Sequence, residues 1–165
     1  MKNFVSNIFS ILIITILLDL FLTYFIFSKF NFNEKIYPKL DHRIANINYH
    51  HSFRENVSTY DYWGTYSYIF KTNSLGFKDR YNREIKKLTN SKKRVIIIGD
   101  SFTEGIGYEY DNTFVGLLDN HKLNKNIEIL NAGVASQSPI IYFKKIKYLL
   151  EEKNINFDEL IVFLD

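Results

Sequence analysis

The stretch Arg94–Gly107 reads R-V-I-I-I-G-D-S-F-T-E-G-I-G, and the rest of the chain is organised around it. Its residues Val95–Ile98 form an uninterrupted apolar, β-branched run, which is typical of a strand buried on both faces of a parallel sheet. Gly99 permits a tight turn after that strand, at the edge where open α/β sheets bind their ligands. We therefore predict that Asp100 and Ser101 lie at this carboxyl edge, with the serine hydroxyl facing a crevice.

Two further runs predict strands that follow the central stretch. They lie at Ile127–Leu130 and at Leu160–Leu164, and the second of them is expected to be buried. A helix is predicted between the first two strands, from Thr113 to about His121, and Asn112 is a suitable N-cap for it.

A second helix is predicted between the last two strands, with Ser138 as its cap and Pro139 as its first residue. Its buried stripe follows helical spacing and comprises Tyr142, Ile146, Leu149 and Leu150. Because strands alternate with helices, we predict an α/β fold with a doubly wound, flavodoxin-like parallel sheet and right-handed crossovers. The chain stops on its last predicted strand, so we expect this sheet to be incomplete at the C-terminus.

Two short blocks carry a resemblance to a known family. Gly99–Thr103 (G-D-S-F-T) resembles the first block of the SGNH (GDSL-type) hydrolases and acyltransferases, in which the serine is the nucleophile. Asn131–Gly133 (N-A-G) resembles the family's second block, whose glycine N–H binds the oxyanion. Thr72–Asp79 (T-N-S-L-G-F-K-D) is similar to a phrase that precedes the serine block in some membrane-anchored bacterial members. That phrase predicts a turn in which Gly76 is free to adopt positive φ.

The resemblance implies an acyl-transfer site. Ser101 would be the nucleophile, Asp100 would support the motif, and the backbone N–H groups of Ser101 and Gly133 would bind the oxyanion. It implies an ester hydrolase, or an O-acetyl transferase or deacetylase that acts on a carbohydrate-like polymer, without a metal or an organic cofactor. Two other motifs are excluded. The stretch lacks the lysine that a P-loop needs, and Thr103 stands where the α/β-hydrolase elbow has its second glycine.

The family's base is a histidine in a late D-x-x-H phrase, and no such phrase occurs before Asp165. The chain's histidines all precede the last predicted strand, and they are His42, His50, His51 and His121. We therefore expect the chain to be the N-terminal part of a longer or truncated SGNH-type protein, inactive by itself. The alternative is a non-catalytic, membrane-anchored module that serves binding or assembly.

The N-terminal segment predicts a membrane anchor. Phe4–Phe27 consists almost entirely of Ile, Leu and Phe, which is long enough to span a bilayer and apolar enough to outweigh the cost of Asp19. Residues 1–30 are predicted to be an uncleaved anchor, because no small-residue cleavage site follows the run. Asp19 is interpreted as a tolerated carboxylate or as a contact with a partner helix or an ion.

Two arguments disagree about the side of the membrane on which the catalytic part lies. Lysines after the anchor, at Lys29, Lys35 and Lys39, favour a cytoplasmic catalytic part under the positive-inside rule. The family resemblance implies the external or periplasmic side, and we expect the catalytic part there.

Residues 31–71 are polar, and they predict a linker-like extension with one added strand at Tyr66–Lys71. The SGNH-like part then comprises residues 72–165. The adjacent His50 and His51 would point in opposite directions on an extended chain, so they are not expected to chelate one metal. The net charge is only +3 and the chain has no cysteine. The densest basic cluster, residues 86–94, predicts a solvated loop, so we expect a membrane and an acyl ester as partners, and no nucleic acid.

Overall fold

The structure is a computed structural model of the 165-residue chain, and it describes residues 2–29, 40–87, 92–121 and 126–164. In the first of these ranges it describes the side chains of residues 6–26. The chain forms two compact units, Met1–Lys39 and Leu40–Asp165. The part of the predicted extension at residues 31–39 lies outside the described residues.

The first unit contains helix α1, Lys2–Lys29. Its segment Ser6–Ile26 has a mean hydropathy of 2.4, and apolar side chains are exposed on every side of the helix. A helix that is apolar all round requires apolar surroundings. The described residues thus contain one N-terminal helix long and apolar enough to span a membrane, as the sequence predicts.

The second unit begins with two antiparallel hairpins. The first pairs β1 (Arg43–Asn46) with β2 (His50–Phe53), and the second pairs β3 (Ser58–Trp63) with β4 (Tyr66–Lys71). Strand β4 confirms the predicted added strand, whereas the other three strands were not predicted. Polar side chains occupy buried positions in and beside these strands, which hides the alternation of apolar and polar residues; they include His42, Ser52 and Asp61.

A parallel sheet follows, with three strands among the described residues. These are β5 (Lys93–Ile98), β6 (Ile127–Asn131) and β7 (Glu159–Val162), in the order β6-β5-β7. The central strand is therefore the one that opens the serine stretch, and its residues from Val95 onward are buried. The predicted α/β class and parallel sheet are confirmed.

Among the described residues, three α-helices are interspersed with these strands, namely α2 (Ser101–Glu104), α3 (Phe114–Asn120) and α4 (Pro139–Glu151). Alternate residues of β5 face opposite sides of the sheet, so side chains pack against both faces of the strand. One face joins a core cluster with Tyr142 and Leu149 of α4, and the other face joins a cluster with Val115 of α3. Helices therefore cover both faces of the sheet beside its central strand.

Several local predictions are wrong. Strand β7 pairs only with β5 and is exposed rather than buried, because it is an edge strand among the described residues. The cap of α3 is Thr113, whose Oγ1 accepts a hydrogen bond from the Gly116 N–H at 3.0 Å, while Asn112 ends a preceding 3₁₀ turn.

Two further corrections concern charged residues in the core. The stripe of α4 buries Tyr142, Lys145 and Leu149, whereas Leu150 is exposed. In the basic cluster, Arg94 is buried and pairs with Glu128, with 2.7 Å between Nε and Oε2. A long cationic side chain can lie inside a core when its head group finds acceptors there.

Candidate active site

Ser101 lies where the sequence predicts it, directly after the central strand. It is the first residue of α2, and Asp100 is the N-cap, with its Oδ1 accepting a hydrogen bond from the Phe102 N–H at 3.0 Å. The half-buried Ser101 hydroxyl donates to Asp100 Oδ2 at 3.2 Å. Asp100 therefore binds both the start of the helix and the serine hydroxyl.

The second block lies against α2. Asn131 Nδ2 donates to the carbonyl of Thr103 at 2.8 Å, which ties the end of β6 to the serine helix. A Cβ on Gly133 would lie 2.6 Å from the Glu104 nitrogen, so only glycine permits this approach. The structure thus brings the two sequence blocks together at one edge of the sheet.

The N–H of Gly133 is directed differently from what the resemblance implies. It donates to Asn131 Oδ1 at 3.0 Å, and Gly133 is buried. An N–H that already has an acceptor is not free to bind an oxyanion. The N–H of Ser101, by contrast, belongs to the first turn of a helix, where N–H groups have no acceptor within the helix.

A cavity of about 440 Å³ opens beside Ser101. Its polar lining comprises Ser101, Asn112 and Thr113, and the rest of the wall is mainly apolar and aromatic. The position of the serine on this wall fits the predicted crevice at the carboxyl edge of the sheet.

The chain's histidines are engaged elsewhere. Buried His42 lies with its Nε2 3.3 Å from Asp61 Oδ2, and His121 is exposed after α3. His51 contacts the carbonyl of Ala135 through Nε2 at 2.8 Å. In the described part of the chain, no hydrogen bond joins any histidine to Ser101.

His50 and His51 correct a prediction, because their side chains converge. Their Nδ1 atoms are 2.7 Å apart. His50 has φ of +78°, so the backbone is not extended there and the alternation of side chains is broken. Among the described residues, no group of three or more His, Cys, Asp or Glu side chains is placed to hold a metal ion.

A buried charge cluster surrounds the end of α2, and sequence reasoning missed it. Glu104 is fully buried; it accepts from Arg43 Nη2 at 2.5 Å and from the Ala135 N–H at 2.7 Å. Arg43 Nη2 also lies 2.7 Å from Asp61 Oδ2. The cluster therefore connects the serine helix to both hairpins and to the loop before α4.

Burial and neighbouring charges act in opposite directions on the pKa values in this cluster. Burial alone lowers the pKa of Arg43, but the hydrogen bond and charge of Glu104 outweigh it and raise that pKa above its ordinary value. For the acid Asp61 the two effects have the reverse signs. Burial alone would raise its pKa, yet His42 and Arg43 hold that pKa well below its usual range. The ion pairs therefore stay charged within the fold.

Two buried lysines complete the surroundings of the site. Lys78 donates to the carbonyls of Gly105 and Tyr108, at 2.8 Å and 2.6 Å, and so anchors the loop after α2. Lys145 donates to the carbonyl of Ala132 at 2.7 Å. Burial lowers the pKa of Lys78 to about 8 and the pKa of Lys145 to about 7.

The predicted turn at Thr72–Asp79 is confirmed, and it explains how Lys78 reaches the loop. Gly76 has φ of +67°, and Asn73 Oδ1 accepts the N–H groups of Leu75 and Phe77. Lys78 belongs to the T-N-S-L-G-F-K-D phrase, but nothing in that phrase predicts that its ammonium binds carbonyls of the loop after α2.

Comparison of the sequence with protein-family models and with curated proteins finds no match in either case. The chemistry assigned to this site therefore depends on its geometry and on the two sequence blocks described above.

Proposed function

We propose that the protein is a membrane-anchored serine ester hydrolase or acyltransferase of SGNH type, in which Ser101 is the nucleophile. The observation that carries the proposal is the position of the Ser101 hydroxyl, which lies at the carboxyl end of the central strand and on the wall of a cavity. The strand order β6-β5-β7 and the helices on both faces support a doubly wound, flavodoxin-like sheet.

The reaction would proceed through an acyl-enzyme. Ser101 Oγ forms a bond with the carbonyl carbon of an ester, its proton passes to a base, and the alcohol leaves with a proton. Water then releases the acid, or an acceptor hydroxyl such as that of a carbohydrate takes the acyl group. The Ser101 N–H is a donor for the oxyanion, and the Gly133 N–H would have to exchange Asn131 Oδ1 for that oxygen.

A second candidate function is a non-catalytic, membrane-anchored module that binds a ligand or serves assembly. Two observations favour it: the Gly133 N–H has an acceptor, and in the described residues the Ser101 hydroxyl donates to Asp100 and not to a histidine. Without a base the serine remains a neutral hydroxyl, and the base-assisted part of the rate is lost.

Labelling with a fluorophosphonate probe distinguishes the two functions, because the probe reacts only with an activated serine. The chain by itself should not be labelled, because none of the described residues supplies a histidine base to Ser101. In its native membranes, where a base from outside the described residues can reach the site, the protein should be labelled at Ser101, as identified by mass mapping of the labelled peptide. Ser101→Ala should abolish labelling, whereas Ser138→Ala, which changes another half-buried serine, should retain it. A correctly inserted protein that takes up no probe would overturn the enzyme and favour the binding module.

A further inference from the structure

The cavity beside Ser101 has an apolar wall built from two parts of the chain. Trp63, at the end of β3, lines the cavity together with Phe102 of α2. The other apolar members of the wall are Ile106, Tyr108 and Phe114. Trp63 packs on this loop, because a Cβ on Gly107 would lie 3.4 Å from its indole ring. The second hairpin and the loop after α2 therefore both contribute side chains to this wall.

The aromatic side chains around this cavity leave large apolar surfaces in water. Trp63 is 65% exposed, Phe102 is 76% exposed and Tyr108 is 59% exposed. Single exposed apolar residues are ordinary, but a contiguous group of them indicates a ligand groove or an interaction site. Here the group surrounds a cavity that also contains a candidate nucleophile.

Hydrogen bonds fix the loop and the helix cap that line the cavity. The Lys78 ammonium donates to two carbonyls of the loop, those of Gly105 and Tyr108. Thr113, the cap of α3, forms part of the floor and is itself bonded to the carbonyl of Tyr110 at 2.7 Å. A wall that is already in place does not have to be ordered when a ligand binds.

The size of the cavity exceeds that of a two-carbon acyl group. Its volume of about 440 Å³ lies within the range of cavities that hold whole small-molecule ligands, so an acetyl group would leave most of it unfilled. An acyl group attached to Ser101 Oγ would begin on the cavity wall, and its tail would meet a lining that is mainly apolar and aromatic. Burial of a hydrocarbon tail is favourable in proportion to the apolar area removed from water.

We infer that this cavity binds the hydrocarbon tail of a medium-chain acyl group, and that Trp63 and Phe102 select it over acetyl. The identification of the tail as part of an acyl substrate rests on the proposed function, whereas binding of the tail does not require an active serine. The inference narrows the substrate to esters of longer aliphatic acids.

Tryptophan fluorescence provides a direct test, because Trp63 is the only tryptophan in the chain. The full chain in lipid nanodiscs assembled with a tryptophan-free scaffold protein would be titrated with acetate, hexanoate and octanoate. Octanoate should shift the emission of Trp63 to shorter wavelength in a saturable manner, and acetate should not. Each methylene should tighten binding about fourfold, so octanoate should bind about sixteenfold more tightly than hexanoate.

A matched pair of variants controls for non-specific effects. Phe102→Asp places a charge on the cavity wall at an exposed residue and should weaken octanoate binding at least tenfold. Phe143→Asp changes a comparably exposed phenylalanine of α4 that is not part of the wall, and it should bind octanoate as the unmodified protein does.

Several outcomes would overturn the inference. The first is an equal response of the Trp63 emission to acetate and to octanoate. The second is an octanoate titration without a saturable shift, and the third is a saturable shift with a neutral disaccharide. Octanoate binding without fluorophosphonate labelling would support the cavity and reject Ser101 as an activated nucleophile. Labelling without octanoate binding would support the nucleophile and reject the acyl cavity.

Discussion

Glu104 is the residue that joins the serine helix α2 to the first hairpin and to the loop before α4. It follows Ser101 by three positions, it is fully buried, and it joins Arg43 of the first hairpin to the Ala135 N–H. A buried carboxylate is costly unless its oxygens are paired, and here both oxygens have charged or N–H donors. The charge on Glu104 therefore positions the serine helix against its neighbours.

Glu104→Gln should destabilise the protein by about 3 kcal/mol, because it leaves the cation of Arg43 without one of its two buried carboxylates. Pulse proteolysis of the full chain in urea measures the change. Glu159→Gln is the matched control, since Glu159 is exposed and pairs with exposed Lys93, and its loss should cost less than about 1 kcal/mol. Equal effects of the two variants would show that the cluster does not hold the helix.

Lys145 makes the stability of the protein depend on pH. Burial lowers its pKa from 10.5 to about 7 in the folded protein, so between these values the unfolded state binds more protons than the folded state. The free energy of unfolding therefore rises with pH through this window, and the penalty of the buried cation is complete below about pH 7.

Replacing Lys145 with Met should remove this contribution. From pH 7 to pH 9 the urea midpoint of the unmodified protein should rise relative to that of Lys145→Met. Lys147→Met, which changes an exposed lysine of the same helix, should leave the pH profile unaltered. Parallel profiles for the unmodified protein and Lys145→Met would contradict the buried titration.

At the scale of elements, α2 is too short to be stable on its own and is held by what surrounds it. Asp100 caps its first turn, Asn131 binds the carbonyl of Thr103, and the backbone of Gly133 lies directly against it. The serine helix α2 thus packs directly against the end of β6 and the residues that follow it. This is a structural reason for an N-A-G block that does not depend on an oxyanion.

Gly133→Ala tests this packing. Its Cβ would lie 2.6 Å from the Glu104 nitrogen, so the backbone of α2 must shift, at a cost of about 1 to 3 kcal/mol. Gly64→Ala is the control, because a Cβ there would have nothing within 4 Å and only the positive φ is penalised, by about 1 kcal/mol. A lower cost for Gly133→Ala than for Gly64→Ala in the same unfolding experiment would argue against close packing.

At the scale of the whole molecule, the apolar helix and the α/β unit differ in where their apolar side chains lie. Helix α1 exposes apolar side chains on every side, whereas residues 40–165 bury three apolar clusters of their own among the described residues. The first is therefore long and apolar enough to span a membrane, whereas the second has an apolar core of its own.

The side of the membrane can be tested with one introduced thiol, because the chain has no cysteine. Lys147→Cys places it on an exposed face of α4. A membrane-impermeant maleimide should label this variant in intact cells if the α/β unit is external, as the family resemblance implies. Labelling that appears only after lysis would place the unit in the cytoplasm, as the positive-inside count favours.

The sequence alone determined the elements whose signals are local. The apolar helix, the central strand, the turn with Gly76 and the start of α4 at Pro139 follow from hydropathy, β-branching and backbone preferences within a few residues. Ser101 could be placed at the sheet edge for the same reason. The parallel pairing of the strands followed from their alternation with helices.

Only the tertiary structure decided which charges lie inside. Glu104 is buried and pairs with half-buried Arg43, 61 positions away in the chain, and no apolar pattern around Glu104 predicts its burial. Polar side chains in the hairpins hide their alternation, and the positive φ of His50 reverses the expected direction of its ring. Buried ion pairs join residues that are distant in the chain, so their burial depends on partners that a local pattern cannot identify.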